Sequence, residues 1–532
     1  MRRSLLAAGA GLVLSVAFEP VAVAWVIPVA VAGFVVTTRG LSLRRAFVVG
    51  LVFGAAFYFT HIFWMRAVGV SAWLALSTLE TLFYAALGSV SALVQRHRLW
   101  PLWFAAAWTS MEVARSGWPL GGMPWGRLAF GVVDTPVAEA LPYAGAVGVS
   151  FLVALLGALL AWVATGPVAG EGGRRVAALT LAGLCAVLAV PALLPWQAHA
   201  DGRLTVAAVQ GDVPGNGDDI LYDYRQVTQN HVDATVDLAR RVDAGEAPRP
   251  DLVLWPENST AVDPFDDAET NAGIRAASEA IQVPILVGAI VDRGEDQVLN
   301  QGIVWDPDTG AGERYTKWHP VPFGEYIPLR SVFLKYQFFD RLREVGRDML
   351  TGTRREPLDI GGVAVADAIC FDIAYDDGLQ AQLRNGAELL VVQSSQATFN
   401  HTDQVDQQFA ITRLRAMETG RWVAVATTNG VSGIIAPDGE VLETADTRTQ
   451  AVLLQEVGLT DALTPAMRLG PWTGRLAAGL TVLGVLLVVL PYRRREQGAT
   501  PGAAPQEREP VTGPDAEPDA EPDPQPTTVG GS

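Results

Sequence analysis

The chain alternates between two patterns of apolar and polar residues. Through the first 199 positions, long apolar runs recur at about 4–18, 21–37, 46–65, 70–94, 99–115, 147–167 and 176–195, and one more lies at 473–492. A helix that crosses a bilayer needs roughly 17–25 mostly apolar residues, so these runs predict eight spanning helices, the first of them the shortest. From residue 203 the periodicity changes. Short β-branched runs bounded by turn residues predict strands at Leu204–Gln210, Asp251–Trp255, Pro284–Ile290, Gly302–Trp305, Val363–Ile369, Glu388–Gln393, Trp422–Thr427 and Gly433–Ala436. Longer polar stretches predict helices at 219–243, 267–281, 376–385 and 403–420. Near-continuous apolar strands such as Leu389-Leu-Val-Val392 point to sheet buried on both faces, in an α/β domain with sheets stacked back to back. The division read from this pattern is 1–199 membrane part, 200–472 α/β domain, 473–492 last span and 493–532 tail. The tail is rich in Pro, Gly and acids with almost no apolar bulk, and is predicted to be disordered.

Charge sharpens the division. The formal net charge of −17 is not spread evenly. Residues 1–199 hold twelve Arg against six acids, residues 200–472 hold 22 basic against 42 acidic residues, and the tail from 496 holds one Arg against eight acids. With the N-terminus inside, alternate loops carry Arg39, Arg44 and Arg45, then Arg96 and Arg98, then Arg174 and Arg175, then Arg493 to Arg495. Positive charge collects on the cytoplasmic side. The chain is therefore expected to span a membrane, with both termini cytoplasmic and residues 200–472 outside. Ten of the fifteen Trp precede residue 200, many at span ends, as interface anchors do. The segment 116–146, with Trp118-Pro-Leu-Gly-Gly-Met-Pro-Trp125-Gly, reads either as the lining of a lipid entrance or as an interfacial loop.

Three residues carry candidate chemistry. Cys185 lies in an apolar run and reads as a packing residue, and Cys370, the only other cysteine, has no disulfide partner in its domain. Cys370 follows the strand Val363–Ile369. There it fits either a buried structural thiol or a nucleophile exposed at a strand end, with the next backbone N–H placed for an oxyanion. Glu257 ends another strand in Trp255-Pro-Glu-Asn258, and Lys317 is one of only two lysines in the chain. A thiol with an ordinary pKa near 8.5 needs a base, a carboxylate can serve, and an ammonium can hold the oxyanion of a tetrahedral intermediate. The six histidines show no metal-ligand spacing, and His319, beside Lys317, reads as structural.

Trp-Pro-Glu257-Asn, Tyr-Thr-Lys317-Trp-His-Pro-Val-Pro-Phe-Gly-Glu325-Tyr-Ile-Pro and Ile-Cys370-Phe-Asp resemble the three catalytic blocks of the nitrilase (carbon–nitrogen hydrolase) superfamily. Eight spans around such a domain resemble its membrane branch, the apolipoprotein N-acyltransferases. Gly-Met-Pro-Trp125-Gly and Arg413-Leu-Arg-Ala-Met-Glu418-Thr-Gly-Arg421 are further matches. The resemblance implies an α-β-β-α sandwich over a helical membrane bundle. It makes Glu257 the general base, Lys317 the oxyanion-stabilising lysine and Cys370 the nucleophile. Glu325, Phe371, Asp372, Trp125 and Trp255 are assigned around that triad or against substrate. A membrane phospholipid would donate an acyl chain, and the N-terminal amine of a diacylglyceryl-modified apolipoprotein would accept it. No cofactor, no metal, no nucleic acid and a monomer are expected. Two positions depart from the family pattern: Cys370-Phe371-Asp372 in place of Cys-Tyr-Glu, and Ser395-Gln-Ala-Thr-Phe399 in place of Asn-Asp-Ala-Trp-Phe. A membrane-anchored amidase using the same triad is the alternative. A transporter is a third reading, opposed by the few acids in the spans (Glu80, Glu112) and the expected lack of paired charges there.

Overall fold

The computed structural model describes residues 1–165, 171–197, 200–335, 343 and 345–497. The tail predicted to be disordered lies outside the described residues from 498 onward. Helices occupy Arg2–Ser15, Ile27–Thr38, Leu43–His61, Val70–Val94, Trp100–Gly117, Leu141–Thr165, Glu171–Leu193 and Trp472–Gln497, where the eight apolar runs were read. Among the described residues, four stretches are both long and apolar enough to cross a membrane: Leu43–His61, Val70–Val94, Pro136–Thr165 and Trp472–Leu490. The chain divides at Val488/Val489, and the described part beyond that division is the end of the last helix.

The bundle packs tightly where small residues face backbone. A Cβ added at Gly88 would lie 2.3 Å from the carbonyl oxygen of Ala46, so only glycine allows Val70–Val94 to approach Leu43–His61 this closely. Two expectations fail inside the bundle. Paired charge is present: Arg115 and Glu80, both buried, stand 3.4 Å apart. Cys185 is exposed on its helix surface rather than packed. The segment 116–146 is also largely an interior feature. Met123, Trp125, Leu128, Ala129 and Phe130 are buried, while Trp118 and Leu120 are exposed. Gly and Pro break its helical pattern, so the sequence alone reads as a lipid-entrance lining or an interfacial loop, yet its aromatic residues have a core to fill.

The α/β part holds two sheets. The first contains β1 (Gly202–Gln210), β2 (Leu252–Leu254), β3 (Ile285–Asp292), β4 (Gln297–Asp306), β5 (Gly310–Thr316) and β6 (Asp348–Met349). The second contains β7 (Leu358–Ile360), β8 (Val363–Ile369), β9 (Leu389–Ser394), β10 (Val423–Thr427), β11 (Gly433–Ile435) and β12 (Val441–Thr444). The chain then returns as β13 (Ala451–Leu459), antiparallel to β1. Strands β1, β2 and β3 are parallel neighbours, as are β8, β9 and β10. Sequence alone left β5, β6, β7, β12 and β13 unread. β13 alternates irregularly between buried and half-exposed positions, and β5 carries Gly, Glu and Arg.

Strand pleating explains the layers, because alternate side chains face opposite ways. Val206, Ala208, Leu252 and Leu254 of one sheet meet Val365, Ile369, Leu389, Val391, Ala424 and Ala426 of the other in one core. The opposite side chains of the first sheet, among them Val209, Val253 and Val287, pack beneath the helices Tyr224–Asp243 and Ala268–Ile281. Those of the second sheet, Ala366, Leu390, Val392 and Val425, join the helices Asp377–Arg384 and Gln404–Thr419 in a core continuous with the membrane helices. The result is the expected α-β-β-α order, with one outer helical layer shared with the bundle.

A buried ionic chain crosses that shared layer. Asp376 accepts from Arg127 and from Arg415, each at 2.8 Å. Arg415 also pairs with Glu418, whose other oxygen accepts from the backbone N–H of Ala146 at 2.7 Å. Burial alone would raise the Asp376 pKa, but the two guanidinium groups outweigh it and hold it down to about 2. Arg415 further donates to the carbonyls of Ile373 and Ala374, and so holds the turn that follows Cys370.

Candidate active site

Glu257, Lys317 and Cys370 all sit just beyond the carboxyl ends of strands: β2, β5 and β8. Such ends are where α/β sheets present reactive groups. The loop carrying Glu257 lies close over β3, since a Cβ added at Gly288 would fall 2.1 Å from the Pro256 carbonyl oxygen. Cys370 adopts φ +55°, in the left-handed region that non-glycine residues rarely occupy. Backbone strain of this kind gathers at functional sites.

The structure brings the triad together. Lys317 is fully buried, and its Nζ donates to Glu257 Oε1 at 3.1 Å and to Glu325 Oε1 at 2.5 Å. Burial alone would lower the lysine pKa, but the carboxylates of Glu257 and Glu325 outweigh it, so the ammonium stays charged well above the ordinary range. Burial raises the Glu325 pKa, opposed by Lys317 and reinforced by Glu257. Burial also pushes the Cys370 thiol up to about 12; the Glu257 carboxylate adds to the rise, and Lys317 opposes it. A thiol in this state is protonated at neutral pH and becomes a nucleophile only by giving its proton to a neighbour.

Glu257 is held from three sides. Besides Lys317, Oε1 accepts from Asn300 Nδ2 at 2.7 Å, and Oε2 accepts from the backbone N–H of Ser395 at 2.7 Å. The departure at Ser395 leaves this bond in place, because a main-chain N–H is supplied by any residue except proline. Asp372 is a clamp on the lysine loop. It accepts from Tyr315 Oη at 2.9 Å and from the backbone N–H groups of Trp318 and His319 at 3.0 and 2.8 Å. His319 stacks on Tyr375 at 3.8 Å and is bonded to Asp377.

Phe371 stacks on Trp125, with ring centroids 5.7 Å apart, which brings the segment 116–146 against the turn that begins at Cys370. Trp255 is a correction. Its indole donates to Thr235 and packs in the outer core below the helices, away from Lys317 and Cys370. It follows Leu254, whose side chain faces the inter-sheet core, so the pleat turns Trp255 to the opposite face. Sequence reasoning missed Asn300, Ser394 and Gln408. The Gln408 Oε1 stands 3.9 Å from Cys370 Sγ, and its Nε2 donates to Ser394 Oγ at 2.9 Å. No local pattern marks these polar residues; only the tertiary fold brings Asn300 to Glu257 and Ser394 and Gln408 to the thiol. Among the described residues, no group of His, Cys, Asp and Glu is arranged to hold a metal.

Residues 10–159 match the model of the apolipoprotein N-acyltransferase N-terminal domain, and residues 205–462 match the carbon-nitrogen hydrolase model. A curated apolipoprotein N-acyltransferase of Mycolicibacterium smegmatis is 36% identical over 91% of this chain and 84% of its own length. The chain belongs to the apolipoprotein N-acyltransferase family. A second member, from Azotobacter vinelandii, is 34% identical over 75% of each chain. Among solved structures, a carbon-nitrogen hydrolase from Helicobacter pylori G27 is 18% identical, covers 48% of this chain and 89% of its own, and gives a TM-score of 0.35. The N-terminal match weighs against the membrane-anchored amidase, because a tether has no need of that domain.

Proposed function

We propose that this membrane enzyme transfers an acyl chain from a phospholipid, through a thioester on Cys370, to the N-terminal amine of the diacylglyceryl-cysteine of apolipoproteins. Membership of the family supports the acylation of lipoproteins. The observation that carries the chemistry is the buried Glu257–Lys317–Glu325 cluster facing a thiol raised to about 12. Glu257 takes the thiol proton as Sγ attacks the ester carbonyl. Lys317 and the backbone N–H following Cys370 receive the oxyanion. The carbon–oxygen bond breaks as the proton passes from Glu257 to the departing lysophospholipid alcohol. In the second half the amine attacks the thioester and Glu257 takes its proton; the carbon–sulfur bond breaks and that proton passes to Sγ, which reforms the thiol. Glu325 keeps Lys317 charged, and Asp372 holds its loop in place. The aromatic contact of Phe371 with Trp125 supplies an apolar wall that limits water near the thioester.

This reading places eight spans in the cell membrane, with both termini cytoplasmic. The domain over 200–472 lies outside, between a membrane part at 1–199 and a last span at 473–492, and the acidic tail lies inside. The alternation of Arg-rich loops supports the orientation. A reporter that works only outside the cytoplasm, fused after residue 472, should be active; activity of a cytoplasm-only reporter at the same position would overturn the orientation. The enzyme is expected to work as a monomer without cofactor. For the chemistry, purified protein given labelled phospholipid and a diacylglyceryl peptide should label the peptide amine, and Cys370→Ser should not. A Cys370→Ser protein with wild-type transfer would refute the assignment, and release of labelled free acid with no labelled peptide would select hydrolysis.

A further inference from the structure

Gln407 belongs to the α/β domain, but among the described residues its four side-chain hydrogen bonds all reach into the first 125 positions. Its Oε1 accepts from the indole Nε1 of Trp64 at 2.9 Å and of Trp125 at 2.7 Å. Its Nε2 donates to the carbonyls of Glu19 at 3.0 Å and His61 at 3.3 Å. An amide has two lone pairs and two N–H groups to offer, and here all are used. The orientation is fixed by chemistry, because a flipped amide would set its NH2 against two indole donors. Gln407, Trp64 and Trp125 are all buried, so loss of these bonds cannot be made good by water.

The two indoles held on that one oxygen are part of a row of rings. Phe399 meets Trp64 edge-on at 5.4 Å, Trp64 meets Trp125 at 5.6 Å, and Trp125 stacks on Phe371 at 5.7 Å. Phe371 is the residue after Cys370, so the row runs from the end of the membrane helix Leu43–His61 to the nucleophile. The backbone of Trp125 is fixed separately, its carbonyl accepting from Arg115 at 2.7 Å and from Tyr58 Oη at 3.0 Å. What remains to be set is the direction of the two indole planes, and Gln407 sets both.

We infer that Gln407 is a positioning residue for the acyl donor. By holding Trp64 and Trp125 on one oxygen it fixes the aromatic wall along which a long acyl chain lies while its ester carbonyl meets Cys370. The inference rests on the reading of Cys370 as the residue acylated by phospholipid. It assigns Gln407 a role in selecting donors by chain, distinct from the chemistry of the triad, which a chainless ester also uses.

The test compares two donors on the full-length protein in mixed micelles: phosphatidylethanolamine carrying palmitoyl chains, and p-nitrophenyl acetate. Acylation of Cys370 is followed by mass, and its access by iodoacetamide. Gln407→Leu should slow palmitoylation about tenfold, mainly through KM, because the wall contributes binding rather than bond-making. Acetylation and alkylation should stay close to wild type. Trp64→Phe, which removes one of the two indole donors and keeps a ring, should shift the same ratio less and in the same direction, and serves if Gln407→Leu does not fold. Equal losses with both donors would reduce Gln407 to a support of the fold and overturn the inference, as would an unchanged ratio in either variant. Wild-type protein that takes no palmitoyl group at Cys370 would instead overturn the reading of the site, and the inference with it.

Discussion

Replacing Lys317 by methionine should lower acyl transfer by about 100- to 1,000-fold, the usual cost of removing one preorganised oxyanion donor. The same change should also weaken the fold, and in a pH-dependent way. Lys317 is the cation shared by Glu257 and Glu325. Without it two buried carboxylates face one another, and removing one partner of a buried charge cluster costs about 3–5 kcal/mol. Glu325 already has a raised pKa, with burial the first cause and the Glu257 charge a further one. Removing the lysine raises it further. An acid whose folded pKa is raised stabilises the fold while it is protonated and ceases to do so as pH rises through that value. The thermal unfolding temperature of Lys317→Met in detergent should therefore fall short of wild type at neutral pH and approach it as pH drops through the carboxylate range. A deficit that grows as pH falls would contradict the charge arrangement. Arginine should not rescue turnover, because its planar fork does not fit the compact site of an ammonium held at 3.1 and 2.5 Å.

Glu257→Gln should separate reactivity from turnover. Acyl transfer should fall by about 100- to 10,000-fold, the contribution of a positioned general base. The thiol itself should become easier to ionise. Burial is the main reason the Cys370 pKa stands at about 12, and the Glu257 charge is the next. Removing that charge leaves Lys317 to favour the thiolate, so the pKa falls. Each unit of fall raises the thiolate fraction tenfold at any pH well below it. Iodoacetamide should thus label Cys370 in Glu257→Gln at lower pH than in wild type, while the variant transfers almost nothing. Slower labelling across the whole pH range would show that the glutamate does not repel the thiolate.

The gathering of Glu257, Lys317 and Cys370 was legible because each stands at a strand end and because lysine is scarce, with Lys335 the sole rival to Lys317. The two outermost elements of the first sheet were not legible. β5 has too little apolar residue to signal burial, and β13 mixes half-exposed with buried positions. Trp255 was misplaced for a simpler reason. Proximity to Glu257 in the chain says nothing about the pleat, which points the indole into the outer core. The expectation of no paired charge in the spans also failed, since Glu80 and Arg115 lie on different helices and meet only after packing. The same holds for the residues that bind the two parts into one site. Gln407 and Trp64 are 343 positions apart, and Arg127 and Asp376 are 249 apart. Neither pair has a local pattern that announces it. Asp372, which departs from the family's glutamate, proved to hold the lysine loop through two main-chain N–H groups, a task set by geometry that a motif does not state.

The most direct test is the mass of the Cys370 peptide after the purified protein meets labelled phospholipid with no amine present. One acyl chain should be found on Cys370 as a thioester, and it should leave in full when a diacylglyceryl peptide is added, reappearing on that peptide's N-terminal amine. An unmodified Cys370 in protein that still acylates the peptide would contradict the account.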